Sequence, residues 1–169
     1  KELAAKRPME KITIKEITDK AGVIRPTFYN HFQDKFELLE WIIRTELLEP
    51  ILPLVRSGMV TEAMVLLFSS IERDKAFYSH VVKLEGAVTF HDVAQKCVRE
   101  MLLEIINEQM SGKTPKHKWL SPEIIASYYA QPMCFATEEW IGQGMTLSTR
   151  EIAEAYYYMI TRSMTDVIR

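Results

Sequence analysis

Apolar residues along the chain recur at steps of three and four. Val93, Cys97, Met101 and Ile105 advance by four each time, and Ile152, Tyr156 and Ile160 do likewise, which aligns side chains on one face of a helix. No stretch alternates in the manner of a strand, and no Asn-Gly or Asp-Gly pair signals a hairpin. The pattern predicts an all-α chain, with an N-terminal three-helix helix-turn-helix unit and a C-terminal helical bundle. Three short helical pieces fall within the first 32 residues, beginning near Glu2, Thr13 and Arg25. A long helix is expected over 35–49, then helices over 59–71, 75–84, 91–110, 121–141 and 149–167, with a polar, basic loop over 111–120. The expected division is a head with its connecting helix over 1–49 and a body over 50–169.

Local signals set the boundaries. Thr13 and Glu16 have the spacing of a capping box. Gly22 can take the left-handed conformation that ends a helix, and Pro26 stands in a first turn, where its missing N–H costs nothing. Asp34 and Glu37 repeat the cap spacing, and Pro50 and Pro53 are expected to end the long helix. A kink is expected at Pro132.

The stretch from Ile12 to Leu39 carries the chemistry. Ile14, Ile17 and Ala21 share one face of the helix that Thr13 opens, and Val23, Phe28 and Phe32 are expected to close over it. That leaves Arg25, Thr27, Tyr29, Asn30 and His31 facing outward on the next helix. Each can donate a hydrogen bond, and none needs burial. So many outward donors on so short a helix fit an acceptor-rich partner, and the phosphates and base edges of DNA are such a surface.

Charge supports this locally. Residues 1–35 hold eight Lys and Arg against five acids, a net of +3, while the remainder carries −5. A basic head on an acidic body turns the head toward a polyanion.

Composition narrows the rest. Hydrophobic residues make up 47% and charged residues 26%, enough for a packed core. No apolar run approaches the roughly 18 residues of a membrane span, so no membrane partner is expected. The two cysteines, Cys97 and Cys134, form no CxxC or disulfide framework, and a reduced, cytoplasmic protein is the expectation. Four histidines without HxxxH or HExxH spacing predict no metal site. No GxSxG, P-loop or GxGxxG is present, so neither enzyme nor cofactor is expected.

Ala21-Gly22-Val23, then Thr27-Phe28-Tyr29-Asn30-His31-Phe32 and Lys35-x-x-Leu38-Leu39, resemble the DNA-binding domain of the tetracycline-repressor (TetR) family of bacterial regulators. Against that family's longer first helix, the chain is expected to begin partway into it. The resemblance implies that Arg25, Pro26 and Thr27 approach base edges, with Arg25 suited to guanine O6 and N7. It implies that Tyr29, His31 and Lys35 hold phosphates, that Asn30 reads adenine or a phosphate, and that Thr13 caps its helix first and touches phosphate second. Phe28 and Phe32 are core residues in this reading.

For the body, the resemblance implies an effector domain that dimerises through its last two helices. Trp140-x-Gly142-x-Gly144 and Ser148-x-x-Glu151-Ile152-Ala153 are similar to one subgroup, which includes regulators tied to dihydroxyacetone metabolism. Aromatic richness independently favours a homodimer face made by Tyr128, Tyr129, Phe135, Trp140, Ile152, Tyr156, Tyr157 and Ile160. Candidates for lining an effector pocket are Phe68, Phe77, Tyr78, His80, Phe90, His91, Met101, Trp119 and Met133, although most aromatic and Met positions at helical spacing are plain core.

The expected function is a ligand-responsive, homodimeric repressor reading a palindromic double-stranded DNA operator. The alternatives are a helical co-regulator or activator working through a partner protein and, more distantly, a small-molecule-binding helical enzyme.

Overall fold

The computed structural model describes residues 1–111 and 115–169, and every regular element among them is helical. A 3-10 turn at Met9–Lys11 precedes α1 (Ile14–Ala21), α2 (Arg25–Tyr29) and α3 (Lys35–Ile43). A π-turn, Arg44–Leu48, joins α3 to α4 (Glu49–Arg56). Then follow α5 (Val60–Arg73), α6 (Lys75–Val81), α7 (Phe90–Met110), α8 (Pro122–Gly142), α9 (Thr149–Thr161) and α10 (Met164–Val167).

Side chains of the expected kinds start and stop these helices. The Thr13 hydroxyl accepts from the Glu16 N–H at 3.3 Å, while the Glu16 carboxylate accepts from the Thr13 N–H at 2.8 Å. Both groups would otherwise be orphan donors of the first turn. Gly22, at φ +70°, ends α1, and the Val23 N–H returns to the Thr18 carbonyl at 3.0 Å. The Asp34 carboxylate accepts from the Phe36 and Glu37 N–H groups at 2.8 and 2.9 Å. Thr89 with Asp92 opens α7, and Ser148 with Glu151 opens α9, each by a capping box.

Several expectations give way. Residues 2–7 form turns, closed by the Ala5 N–H on the Lys1 carbonyl at 2.9 Å, because so short a piece cannot offset the cost of helix nucleation. The long helix does not end at Pro50. It widens into the π-turn, where the Glu49 N–H reaches back to Arg44, and runs on through Pro50 and Pro53 to Arg56. Pro50 stands at the start of α4, where a missing N–H is tolerated. The last long helix stops at Thr161 rather than near Val167. Of the expected loop over 111–120, residues 112–114 lie outside the described residues, and 115–121 are irregular.

One apolar core runs from the head (Met9, Ile12, Leu39) into the body (Leu67, Phe68, Ile71, Val93, Met133). In the body α7 packs along α8, and α5 packs against α9. The corner between α8 and α9 is fixed by three polar contacts. The Trp140 indole donates to the Leu147 carbonyl at 2.9 Å, the Met145 N–H to the Trp140 carbonyl at 2.9 Å, and the Lys75 ammonium to the Gly144 carbonyl at 2.7 Å.

Candidate nucleic-acid interface

Helix α2 is held from below by one residue. Phe28 is buried, and its ring meets those of Tyr29 and Phe32 at centroid distances of 5.6 and 5.5 Å. On α1, Thr18 is a buried polar residue whose hydroxyl donates within its own helix to the Ile14 and Lys15 carbonyls. That back-bonding satisfies the hydroxyl and lets a threonine sit where an apolar residue would be expected. Ala21 and Val23, expected in this small core, are exposed instead. The left-handed turn at Gly22 carries the chain outward there, while Thr18, earlier on α1, is buried.

With Phe28 as anchor, α2 presents its other side chains to solvent. Arg25, Pro26, Tyr29, Asn30 and His31 are exposed and Thr27 is half-buried; Tyr29 retains 56% of its surface. The sequence pattern therefore picked out the outward set. It missed Ile24, which is 69% exposed at the residue before α2. An isoleucine in that place offers an apolar contact to a thymine methyl. Its only signal in the sequence is an apolar residue outside any helical period.

Two expected contacts have other work. The Lys35 ammonium donates to the carbonyls of Met9, Glu10 and Ile12 at 2.9, 2.8 and 3.1 Å. All three of its N–H groups are thereby engaged, so in the DNA-free chain Lys35 clamps the segment before α1. The Thr13 hydroxyl donates to Glu16 at 2.8 Å as part of its cap. Among the other basic residues of the head, Lys20 pairs with Glu2 and Arg7 with Glu16.

A family model described as "Bacterial regulatory proteins, tetR family" matches residues 1–42, and another, "Transcriptional regulator C-terminal region", matches 60–162. The chain belongs to the TetR family. It is a DNA-binding transcriptional regulator, with the helix-turn-helix of α1 and α2 in the matched head. It is 27% identical over 149 residues to the HTH-type dhaKLM operon transcriptional activator DhaS of Lactococcus lactis subsp. lactis (strain IL1403), covering 87% of this chain and 78% of that protein. A solved structure of a dihydroxyacetone kinase operon activator DhaS shares the fold, with a TM-score of 0.61 at 22% identity over 95% of this chain and 88% of that one.

In this TetR-family body the residues expected to line an effector pocket are spread over several places. Phe90 and Met133 stand on the wall of a cavity of about 30 Å³ beside Leu47, Cys134 and Glu138, and Met101 on that of a cleft of about 210 Å³ beside Arg44 and Leu52. Phe68 and Tyr78 are buried core, Phe68 packing on Trp140 at 5.0 Å between centroids; Phe77, also buried, lines a cleft of about 430 Å³ with Met9, Ile12 and Ile42. His80 turns its Nδ1 to the Ala76 carbonyl of its own helix at 2.8 Å. His91 is half-buried, with Nδ1 2.8 Å from Glu138. Trp119 is 70% exposed in the irregular segment before α8.

The expected dimer face divides. Tyr128, Tyr129, Phe135 and Tyr157 are exposed, and Phe135 keeps 61% of its surface. Ile152 and Ile160 are half-buried against the core. Trp140 and Tyr156 are buried within the one chain, because α8 and α9 turn those faces toward α5 and the core. Tyr158 and Met159 join the exposed set.

Among the described residues no group of His, Cys, Asp and Glu could hold a metal, and no helix is long and apolar enough to cross a membrane. Burial pushes the Cys97 thiol up to about 11 and that of Cys134 up to about 12, which leaves both as inert core groups.

Proposed function

We propose that the chain acts as a homodimer on a palindromic operator, with α2 of each copy in a major groove. Arg25, Thr27 and Ile24 meet base edges; Tyr29, Asn30 and His31 hold the backbone. The observation that carries this is the outward row of donors on α2, anchored from behind by Phe28 alone. Two such helices about 34–36 Å apart would meet successive major grooves. The exposed aromatic stripe of α8 and α9 supplies a self-complementary face for the second copy. Binding to the promoter region upstream of its own gene, measured at two salt concentrations, tests the reading. Affinity should fall steeply with salt; absent or salt-insensitive binding rejects it.

A second reading concerns the sign of control. The relative named above is an activator. That favours an activator over a repressor. Deleting the gene should then lower transcription from its target promoter; a rise would restore the repressor reading.

A further inference from the structure

Trp41 stands half in water on α3, while Leu39, Ile42 and Ile43 beside it are buried. Its indole keeps 50% of its surface. The residue lies beyond the Lys35-x-x-Leu38-Leu39 pattern, and it is not among the outward donors of α2. A large aromatic side chain in that place adds little to the core, so its contacts are worth following.

The Trp41 ring meets that of Phe32 at 6.1 Å between centroids and 66° between planes, the edge-on arrangement that aromatic pairs favour. Phe32 touches Phe28, the anchor of α2, at 5.5 Å and the His31 imidazole at 6.2 Å. His31 lies just past the end of α2, and its N–H returns to the Phe28 carbonyl at 3.0 Å. Its backbone is thereby fixed, and its exposed ring packs on Phe32. One turn before Trp41, on the same face of α3, the Glu37 carboxylate accepts from the Gln33 N–H at 2.5 Å. Helix α3 therefore grips the segment after α2 twice, at the backbone of Gln33 and at the ring of Phe32.

We propose that Trp41 is a positioning residue for operator binding: through the ring of Phe32 it holds the His31 imidazole in the place where it meets the DNA backbone. Trp41 itself reaches no phosphate. An exposed side chain loses rotamer freedom when it grips a ligand, and packing it beforehand lowers that cost. The row from Trp41 through Phe32 to His31 does this for a ring that stands outside the last turn of α2. The inference deepens the operator reading and rests on it, because His31 is taken there as a backbone contact.

A double-mutant cycle on the full chain, read as affinity for the promoter region upstream of its own gene, tests it. Trp41→Ala should weaken binding roughly fivefold, the size of one aromatic contact, and Trp41→Phe, which keeps an aromatic edge against Phe32, by under about twofold. On a His31→Ala background Trp41→Ala should cost nothing further, because it acts through that imidazole; on an Arg25→Ala background it should cost its full amount. In the DNA-free chain, the ring resonances of His31 should move toward their unfolded-chain positions in Trp41→Ala and stay in place in Trp41→Phe. A merely structural Trp41 would weaken binding equally with and without His31, and that result overturns the proposal, as do unmoved His31 resonances in Trp41→Ala. A parent chain that binds no operator at either salt concentration rejects the operator reading and this inference with it, whereas a parent that binds and gives an additive cycle with His31 rejects this inference alone.

Discussion

Lys35 and Ile12 are joined by a 3.1 Å hydrogen bond from ammonium to main-chain carbonyl, across 23 residues of sequence. With the bonds to Met9 and Glu10, it fastens the segment before α1 to the first turn of α3, and so fixes how the helix-turn-helix sits on the connector. Lys35→Met should lower stability by about 1.5–3 kcal/mol, measured by denaturant unfolding, since it leaves three carbonyls without this donor. The slope of log affinity against log salt should not change, because no phosphate contact is lost. A slope smaller by about one would return Lys35 to the phosphate-binding set.

Arg25 should behave differently. Exposed at the start of α2, its guanidinium can reach a guanine edge with two parallel donors. Arg25→Ala should cost roughly 1–3 kcal/mol of operator binding and relax the preference at one base position. Binding to a panel of single-base operator variants reads this directly. A loss equal on every sequence would make Arg25 a backbone contact.

The start of α1 carries a pH dependence. Arg7 and, after it, the Thr13 N–H and hydroxyl hold the Glu16 carboxyl at about 2, against an ordinary value of 4.5. A carboxylate with a depressed folded pKa contributes stability in full above its unfolded value, and that contribution is lost as pH falls through the folded one. Thermal stability should therefore decline as pH drops from 4.5 toward 2, and Glu16→Gln should flatten that decline. An unchanged profile in the variant would show that the acid loss comes from other carboxylates.

The head was legible from sequence because its signals are short-range. Thr13 with Glu16, Gly22, Pro26 and Asp34 each act within four residues, so the pattern that names them also places them. Pro50 misled for the same reason: a rule about one proline cannot see that the helix before it widens into a π-turn. The role of Lys35 depends on carbonyls 23 to 26 residues away, which no local pattern reaches. On α8 the apolar residues run all round the helix, so the periodicity did not say which side faces inward. The packing of α8 on α7 and α9 decides it.

That last point has a direct consequence for dimerisation. Phe135 and Tyr128 stand at 61% and 68% exposure, whereas Trp140, on the same helix, is 2% exposed and bonded to Leu147. A charge placed in the middle of an apolar self-contact meets its own copy across the two-fold axis and cannot be solvated there. Phe135→Glu should therefore shift the protein from dimer to monomer in sedimentation, with little change in the unfolding of the single chain. Its operator affinity should fall far more than any base-contact variant's, because one copy reads only half a palindrome. Trp140→Phe should do the opposite. It should cost roughly 1–3 kcal/mol of stability through the lost indole hydrogen bond and the smaller ring, while the sedimentation coefficient stays that of the parent. If Phe135→Glu instead leaves the assembly intact, the second copy docks elsewhere, and the exposed aromatics of α8 need another partner.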